Sequence, residues 1–244
     1  MKRHFLFLSL FCTSSLVFAQ ITDPKATEVW EPQARVVSPG TGTMPPSDAI
    51  VLFDGTSLQE WVTAADGSAP SWTINSDGSM TVKPQSGDIK TKRVFGDIQL
   101  HLEFRTPSVV ESEGQGRGNS GVFFQERYEV QVLDNYQNRT YTNGQAGSIY
   151  KQSMPLVNAC RPPGEWQTYD IVFIAPRFNA DGQKIASGRI TVFHNGVLVQ
   201  HYTEVMGTTE YIGLPKNIAH DKGSIKLQDH GNLVSYRNIW VREL

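Results

Sequence analysis

Three stretches of this 244-residue chain concentrate side chains that move protons and bind hydroxyl groups. DIQLHLEFR ends on Glu103 and Arg105. GRGNSGVFFQERYEVQVLD carries Asn119, Glu129, Gln131 and Asp134. SIKLQDHGNLV carries Lys226, Gln228 and His230. A carboxyl and an imidazole can serve as acid and base, and a cation can hold a developing oxyanion. Gly114, Gly116, Gly118 and Gly121 surround Asn119 and Ser120, so that backbone can approach a ligand closely.

Each stretch also reads as an ordinary solvated strand face, and for Gln99 and His101 that reading is preferred. Glu129 differs, because Val130, Val132 and Leu133 make its strand deeply apolar. A carboxylate on such a strand needs a partner or a ligand. For His230 a structural hydrogen-bonding role and a functional one stand level. Other chemistries are excluded by pattern. Gly118-Asn119-Ser120-Gly121 lacks the spacing of a nucleophile elbow, and neither H-E-x-x-H nor a cysteine pair for zinc is present. Asn179-x-Asp181-Gly182 fails as a calcium loop because Arg177 stands at its first ligand position.

The elements that must position these residues are strands. In DIQLHLEF, Ile98, Leu100, Leu102 and Phe104 alternate with Gln99, His101, Glu103 and Arg105, the period of a half-buried strand. The same alternation puts Glu129 with Gln131, and Lys226 with Gln228 and His230, opposite their apolar neighbours. RITVFH-Asn195-Gly196-VLVQHY predicts a hairpin on a type I′ turn, pairing His194 with Val197 and Val192 with Val199. About ten short strands and no amphipathic helix imply an all-β sandwich of two antiparallel sheets. On that plan the three polar stretches gather on the outer face of one sheet.

The ends and the composition narrow the setting. Residues 1–19 read as a signal peptide, with Lys2 and Arg3 before an apolar run and a cut after Ala19, which predicts a periplasmic or secreted protein. Residues 20–47 hold five prolines and form an extended arm, lying on the surface or joining a second copy into an oligomer. Residues 48–244 form the single folded domain. Cleavage leaves Cys160 alone, and 20 basic against 24 acidic residues, a net charge of −4, so nucleic acid is a poor partner. No second apolar stretch is long enough for a membrane span.

Over residues 48–244 the chain resembles the bacterial 3-keto-disaccharide hydrolase family. The blocks that carry the resemblance are IVLFDGTSLQEW, WTIN…GSMTV, FGDIQLHLEFR, GNSGVFFQ, YEVQVLD, AGSIY, GEWQTYDIVF, the HNG hairpin and LQDHG…VSYRNIWV. The resemblance implies a concanavalin A-like β-sandwich, or jelly roll. It implies as substrate a glycoside that a separate oxidoreductase has oxidised to a ketone at carbon 3. The ketone acidifies the proton on carbon 2; a base removes it, the glycosidic oxygen leaves by β-elimination, and water can add back to give net hydrolysis. Retaining glucanases of this fold carry E-x-D-x-E on a groove strand, whereas this chain has Glu129, Gln131 and Leu133, which argues against double displacement.

On this resemblance Glu129 and His230 share the roles of base and acid, in either order, and Arg105 and Lys226 are the candidate enolate stabilisers. Glu103, Asn119, Gln131, Asp134, Tyr150 and Gln228 would bind hydroxyls. A divalent metal ion held by Glu103, Glu129, Asp134 and His230 is the alternative stabiliser. Of the tryptophans, Trp61, Trp72 and Trp240 read as packing, and Trp166, after Pro162-Pro163-Gly164, has the best claim to exposure. A carbohydrate-binding protein without catalysis is the competing class, since this fold hosts both.

Overall fold

The computed structural model describes residues 20–244, so the expected signal peptide lies outside the described residues. The chain divides into two compact units, ending and beginning at Val36 and Val37. The first, from residue 20, contains one 3-10 turn, Pro24–Thr27. The second holds the strands.

In chain order these are β1 (Ile50–Phe53), β2 (Trp61–Thr63), β3 (Thr73–Ile74), β4 (Met80–Thr81), β5 (Ile89–Thr91), β6 (Ile98–Arg105), β7 (Ser120–Phe124) and β8 (Tyr128–Val132). There follow β9 (Gln167–Ile174), β10 (Arg177–Phe178), β11 (Lys184–Ala186), β12 (Gly188–His194), β13 (Val197–Val205), β14 (Lys226–Leu227) and β15 (Ser235–Glu243). The large sheet runs β13-β12-β9-β6-β15-β4-β3, with β1 also paired to β15, and the small sheet runs β2-β5-β14-β7-β8. Among the described residues there is no α-helix. The expected sandwich of two antiparallel sheets is therefore the observed one.

Alternation decides which side chains fill the space between the sheets. Ile98, Leu100, Leu102 and Phe104 of β6 are buried there with Ile171 and Phe173 of β9. They face Val122 and Phe124 of β7, Val130 and Val132 of β8, and Leu227 of β14. Phe124 stacks on Phe173 at 4.8 Å between ring centroids. Two buried tyrosines cross the apolar layer. Tyr169 Oη donates to the Gln131 carbonyl (2.7 Å), and Tyr236 Oη donates to Ser120 Oγ (2.6 Å), which in turn donates to the Gln228 carbonyl (2.6 Å). The large sheet thereby fixes β8, which carries Glu129 and Gln131, together with β7 and the chain just past β14 that carries Gln228.

The Asn195-Gly196 turn has both residues at positive φ, 53° and 77°, as type I′ requires. His194 pairs with Val197, but Val192 pairs with Gln200 in place of the expected Val199. A register shift between Val192 and Phe193 accounts for the difference.

Candidate functional site

The outer face of the small sheet carries a cleft of about 640 Å³. Its floor comes from alternate residues of β7 and β8. Phe123 pairs with Glu129, and Gly121 pairs with Gln131. Gly121 is required by close approach. A Cβ at this position would lie 2.5 Å from Glu129 Oε1 and 2.8 Å from the Phe123 ring. Its absence lets the Glu129 carboxyl fold back across the sheet.

Glu129 is 4% exposed. Burial pushes its carboxyl up to about 8, against a smaller opposing pull from the Lys226 ammonium. The group is therefore neutral at pH 7 and holds a proton to give. The Gln131 amide, oriented so that its neighbours are satisfied, donates to Glu129 Oε1 (2.9 Å) and to the Ser120 carbonyl (3.0 Å). Lys226 Nζ is paired with Asp88 (2.8 Å) and lies 4.0 Å from the centre of the Phe123 ring. It biases Glu129 from beside the cleft.

The walls are loops tied to β8 and β7. Residues 147–150 continue the small sheet beyond β8, because Gly147 N donates to the Gln131 carbonyl (2.9 Å) and Tyr150 N to that of Glu129 (3.1 Å). This covers an edge that would otherwise be open and brings Tyr141, Tyr150 and Lys151 over the carboxyl. Tyr141 Oη and Tyr150 Oη share a hydrogen bond of 2.6 Å. Burial raises both phenols above their ordinary value, so both remain protonated. Lys151 Nζ donates to the Tyr211 carbonyl and lies 4.3 Å from the Tyr211 ring centre, 5.6 Å from that of Tyr150 and 5.8 Å from that of Tyr141. Thr209 Oγ1 accepts from the Glu129 backbone N–H (3.0 Å). On the opposite side Asn119 N donates to Asn232 Oδ1 (2.6 Å), and Asn119 Nδ2 donates to the Gln115 carbonyl (2.7 Å). His230 is exposed on the rim, and the buried Gln228 Oε1 has no partner among the described residues.

Of the residues expected to meet, Asn119, Glu129, Gln131, Tyr150, Gln228 and His230 do so. Glu103, Arg105, Asp134 and Lys226 do not, Lys226 being held beside the cleft by Asp88. Glu103 and Arg105 belong to β6, on the outer face of the other sheet, since alternation gives a face but not which sheet bears it. Glu103 accepts from Arg237 Nε (2.6 Å), Asn238 Nδ2 (3.0 Å) and Thr43 Oγ1 (3.0 Å), and pins residues near Thr43 to the large sheet. Arg105 pairs with Asp77 (3.2 Å) and lies 4.5 Å from the Trp166 ring centre, with Arg237 at 4.1 Å from the same ring. Asp134 holds Arg117 Nε at 2.6 Å. The four-ligand metal site falls with them. Among the described residues no three His, Cys, Asp or Glu side chains group closely enough to hold an ion.

Tyr141, Lys151, Thr209, Tyr211, Gln115 and Phe123 were not expected from the sequence. Tyr141 and Lys151 have a signal there in the density of tyrosine and lysine from Tyr141 to Lys151, and the other four have none. Trp61, Trp72 and Trp240 are buried, as expected.

A carboxyl, an imidazole, an ammonium and phenols around one cleft on a jelly-roll sandwich define a carbohydrate-active enzyme of the hydrolase or lyase type. The chain belongs to the 3-keto-alpha-glucoside-1,2-lyase-like domain family, whose sequence model matches residues 48–242. It is similar to a solved protein of Parabacteroides distasonis ATCC 8503, described provisionally as a glycosyl hydrolase. That match has 50% identity and a TM-score of 0.87 over 91% of this chain and 97% of that one. A second such structure from the same organism matches at 26% identity and a TM-score of 0.56, over 80% of this chain and 99% of that one. No match was found among curated proteins.

Proposed function

We propose that the cleft cleaves 3-keto-glycosides by β-elimination across carbons 1 and 2, with water adding back to complete hydrolysis. The observation that carries this reading is Glu129, a carboxyl kept protonated by burial in the same cleft as an exposed imidazole. His230 takes the proton on carbon 2. The electron pair moves onto the carbonyl oxygen at carbon 3, where Lys151 and the Tyr150 and Tyr141 hydroxyls receive the charge. The pair returns as the bond from carbon 1 to the leaving oxygen breaks, and Glu129 gives that oxygen its proton. The products are an alcohol and an enone sugar. For hydration, the Glu129 carboxylate takes a proton from water as the oxygen joins carbon 1, and His230 returns its proton to carbon 2.

Gln228, Gln131 and Asn119 bind sugar hydroxyls, the unpartnered Gln228 Oε1 accepting from one of them. A separate oxidoreductase supplies the ketone, as the family resemblance implies. The first 19 residues fit export to the periplasm or beyond. The test is turnover of methyl 3-keto-glucoside and of its unoxidised parent. Activity on the ketone alone is expected, with losses above 100-fold in Glu129→Gln and His230→Ala. Full activity in both variants overturns the assignment.

A further inference from the structure

A second cavity of about 640 Å³ adjoins the cleft. Gly116 lines both. On the opposite wall the chain passes from His230, in the cleft, directly to Gly231 and Asn232, in the second cavity. Both arginines around this cavity are already matched, and the Glu111 carboxylate beside them is exposed. Arg105 is held by Asp77 and lies over Trp166, and Arg117 is held by Asp134 and donates to the Tyr136 carbonyl (3.0 Å). Its mouth is apolar, with Val109, Val110 and Leu233 exposed by 69%, 45% and 55%. The buried Thr106 Oγ1 on its wall has no partner among the described residues.

We infer that this cavity is the leaving-group site, and that it takes an uncharged aromatic aglycone bearing a hydroxyl. The inference rests on the reaction proposed above and names its substrate class. A leaving group starts at the atom Glu129 protonates, so its site must adjoin the cleft, and this cavity shares Gly116 with it. Matched arginines and an exposed Glu111 carboxylate give no advantage to an anion, whereas an apolar mouth is covered by a flat ring. A sugar would leave Val109, Val110 and Leu233 against hydroxyls, with little apolar surface to bury. Ser108, Ser112 and Thr106 offer hydroxyls to a phenol.

The test compares three 3-keto-glucosides, with 4-methylumbelliferyl, methyl and glucosyl leaving groups, in the wild type and in Leu233→Asp. Leu233 is exposed, so the variant is expected to fold. The expected result is a fall of tenfold or more in kcat/KM for the umbelliferyl substrate and less than twofold for the other two. Binding of free 4-methylumbelliferone, followed by fluorescence, should weaken by the same factor. Equal changes on all three substrates, no change, or a fall confined to the glucosyl substrate overturn the inference. If no 3-keto-glucoside is turned over but umbelliferone still binds and Leu233→Asp weakens it, the cavity stands and the proposed reaction fails.

Discussion

Glu129 is the residue on which the chemistry turns, and its protonation follows from its neighbours. Gly121 removes the one side chain that would hold the carboxyl away from the sheet, and the loop carrying Tyr141 and Tyr150 closes over it. A proton donor matters most when the leaving oxygen is poor. Glu129→Gln should therefore slow a methyl 3-keto-glucoside at least tenfold more than a 4-nitrophenyl one, measured as the ratio of their kcat values. Equal losses would assign Glu129 to carbon 2 in place of the leaving oxygen. Gly121→Ala pushes a methyl group into the carboxyl. It should cost roughly 1–3 kcal/mol of stability, read from denaturant midpoints, and lower kcat more than it raises KM. Glu129 was legible in the sequence because apolar neighbours isolate it. Lys151 was not, because its place depends on a loop held by backbone bonds to β8, which no side-chain pattern records.

At the scale of elements, the small sheet carries the site and the large sheet holds it still. The strands themselves were legible from period-two alternation, and the turn at Asn195-Gly196 from its residue types. Which outer face belonged to which sheet was not. Glu103 and Glu129 occupy equivalent places in alternating strands, yet β6 pairs with β9 and β15, and β8 pairs with β7. Sheet membership is a long-range property, set by packing across the core. Tyr169 and Tyr236 are the links between the two sheets beneath the cleft. Tyr169→Phe leaves the Gln131 carbonyl without that donor. It should lower stability by about 1–3 kcal/mol and weaken substrate binding, seen as a KM rise without a comparable change in kcat. An unchanged melting temperature would show that this link carries no load.

For the whole molecule, four buried groups set the response of stability to pH. Burial lowers His194 to about 3 and raises Glu129 to about 8. His101 is raised to about 9: burial opposes its charge, but the hydrogen bond to Asp170 (2.7 Å) and the Glu103 carboxylate 4.0 Å away outweigh it. His101, 4.0 Å away, leads in holding Glu103 down at about 2, with Asn238 and Arg237 donating to the carboxylate. Between pH 6.5 and 8 the folded chain keeps protons on Glu129 and His101 that the unfolded chain releases, so stability falls as pH rises. Below 4.5 the unfolded chain gains protons that folded Glu103 and His194 refuse, so stability falls as pH drops. Between 4.5 and 6.5 the Glu129 and His194 slopes oppose each other. Each group contributes at most roughly 1.4 kcal/mol per pH unit within its own window. A plateau in melting temperature over pH 4.5–6.5 is expected, with Glu129→Gln flattening the alkaline decline; a wild-type melting temperature that rises between pH 6.5 and 8 contradicts it.

The most direct test of the chemistry is kcat/KM for methyl 3-keto-glucoside from pH 6 to 10. Loss of the Glu129 proton should bring a tenfold fall per pH unit above about 8, and Glu129→Gln should be slow throughout, with no such limb. A wild-type rate that holds level or climbs through pH 9, or a Glu129→Gln variant that follows the wild-type curve, contradicts a neutral Glu129 as the proton donor.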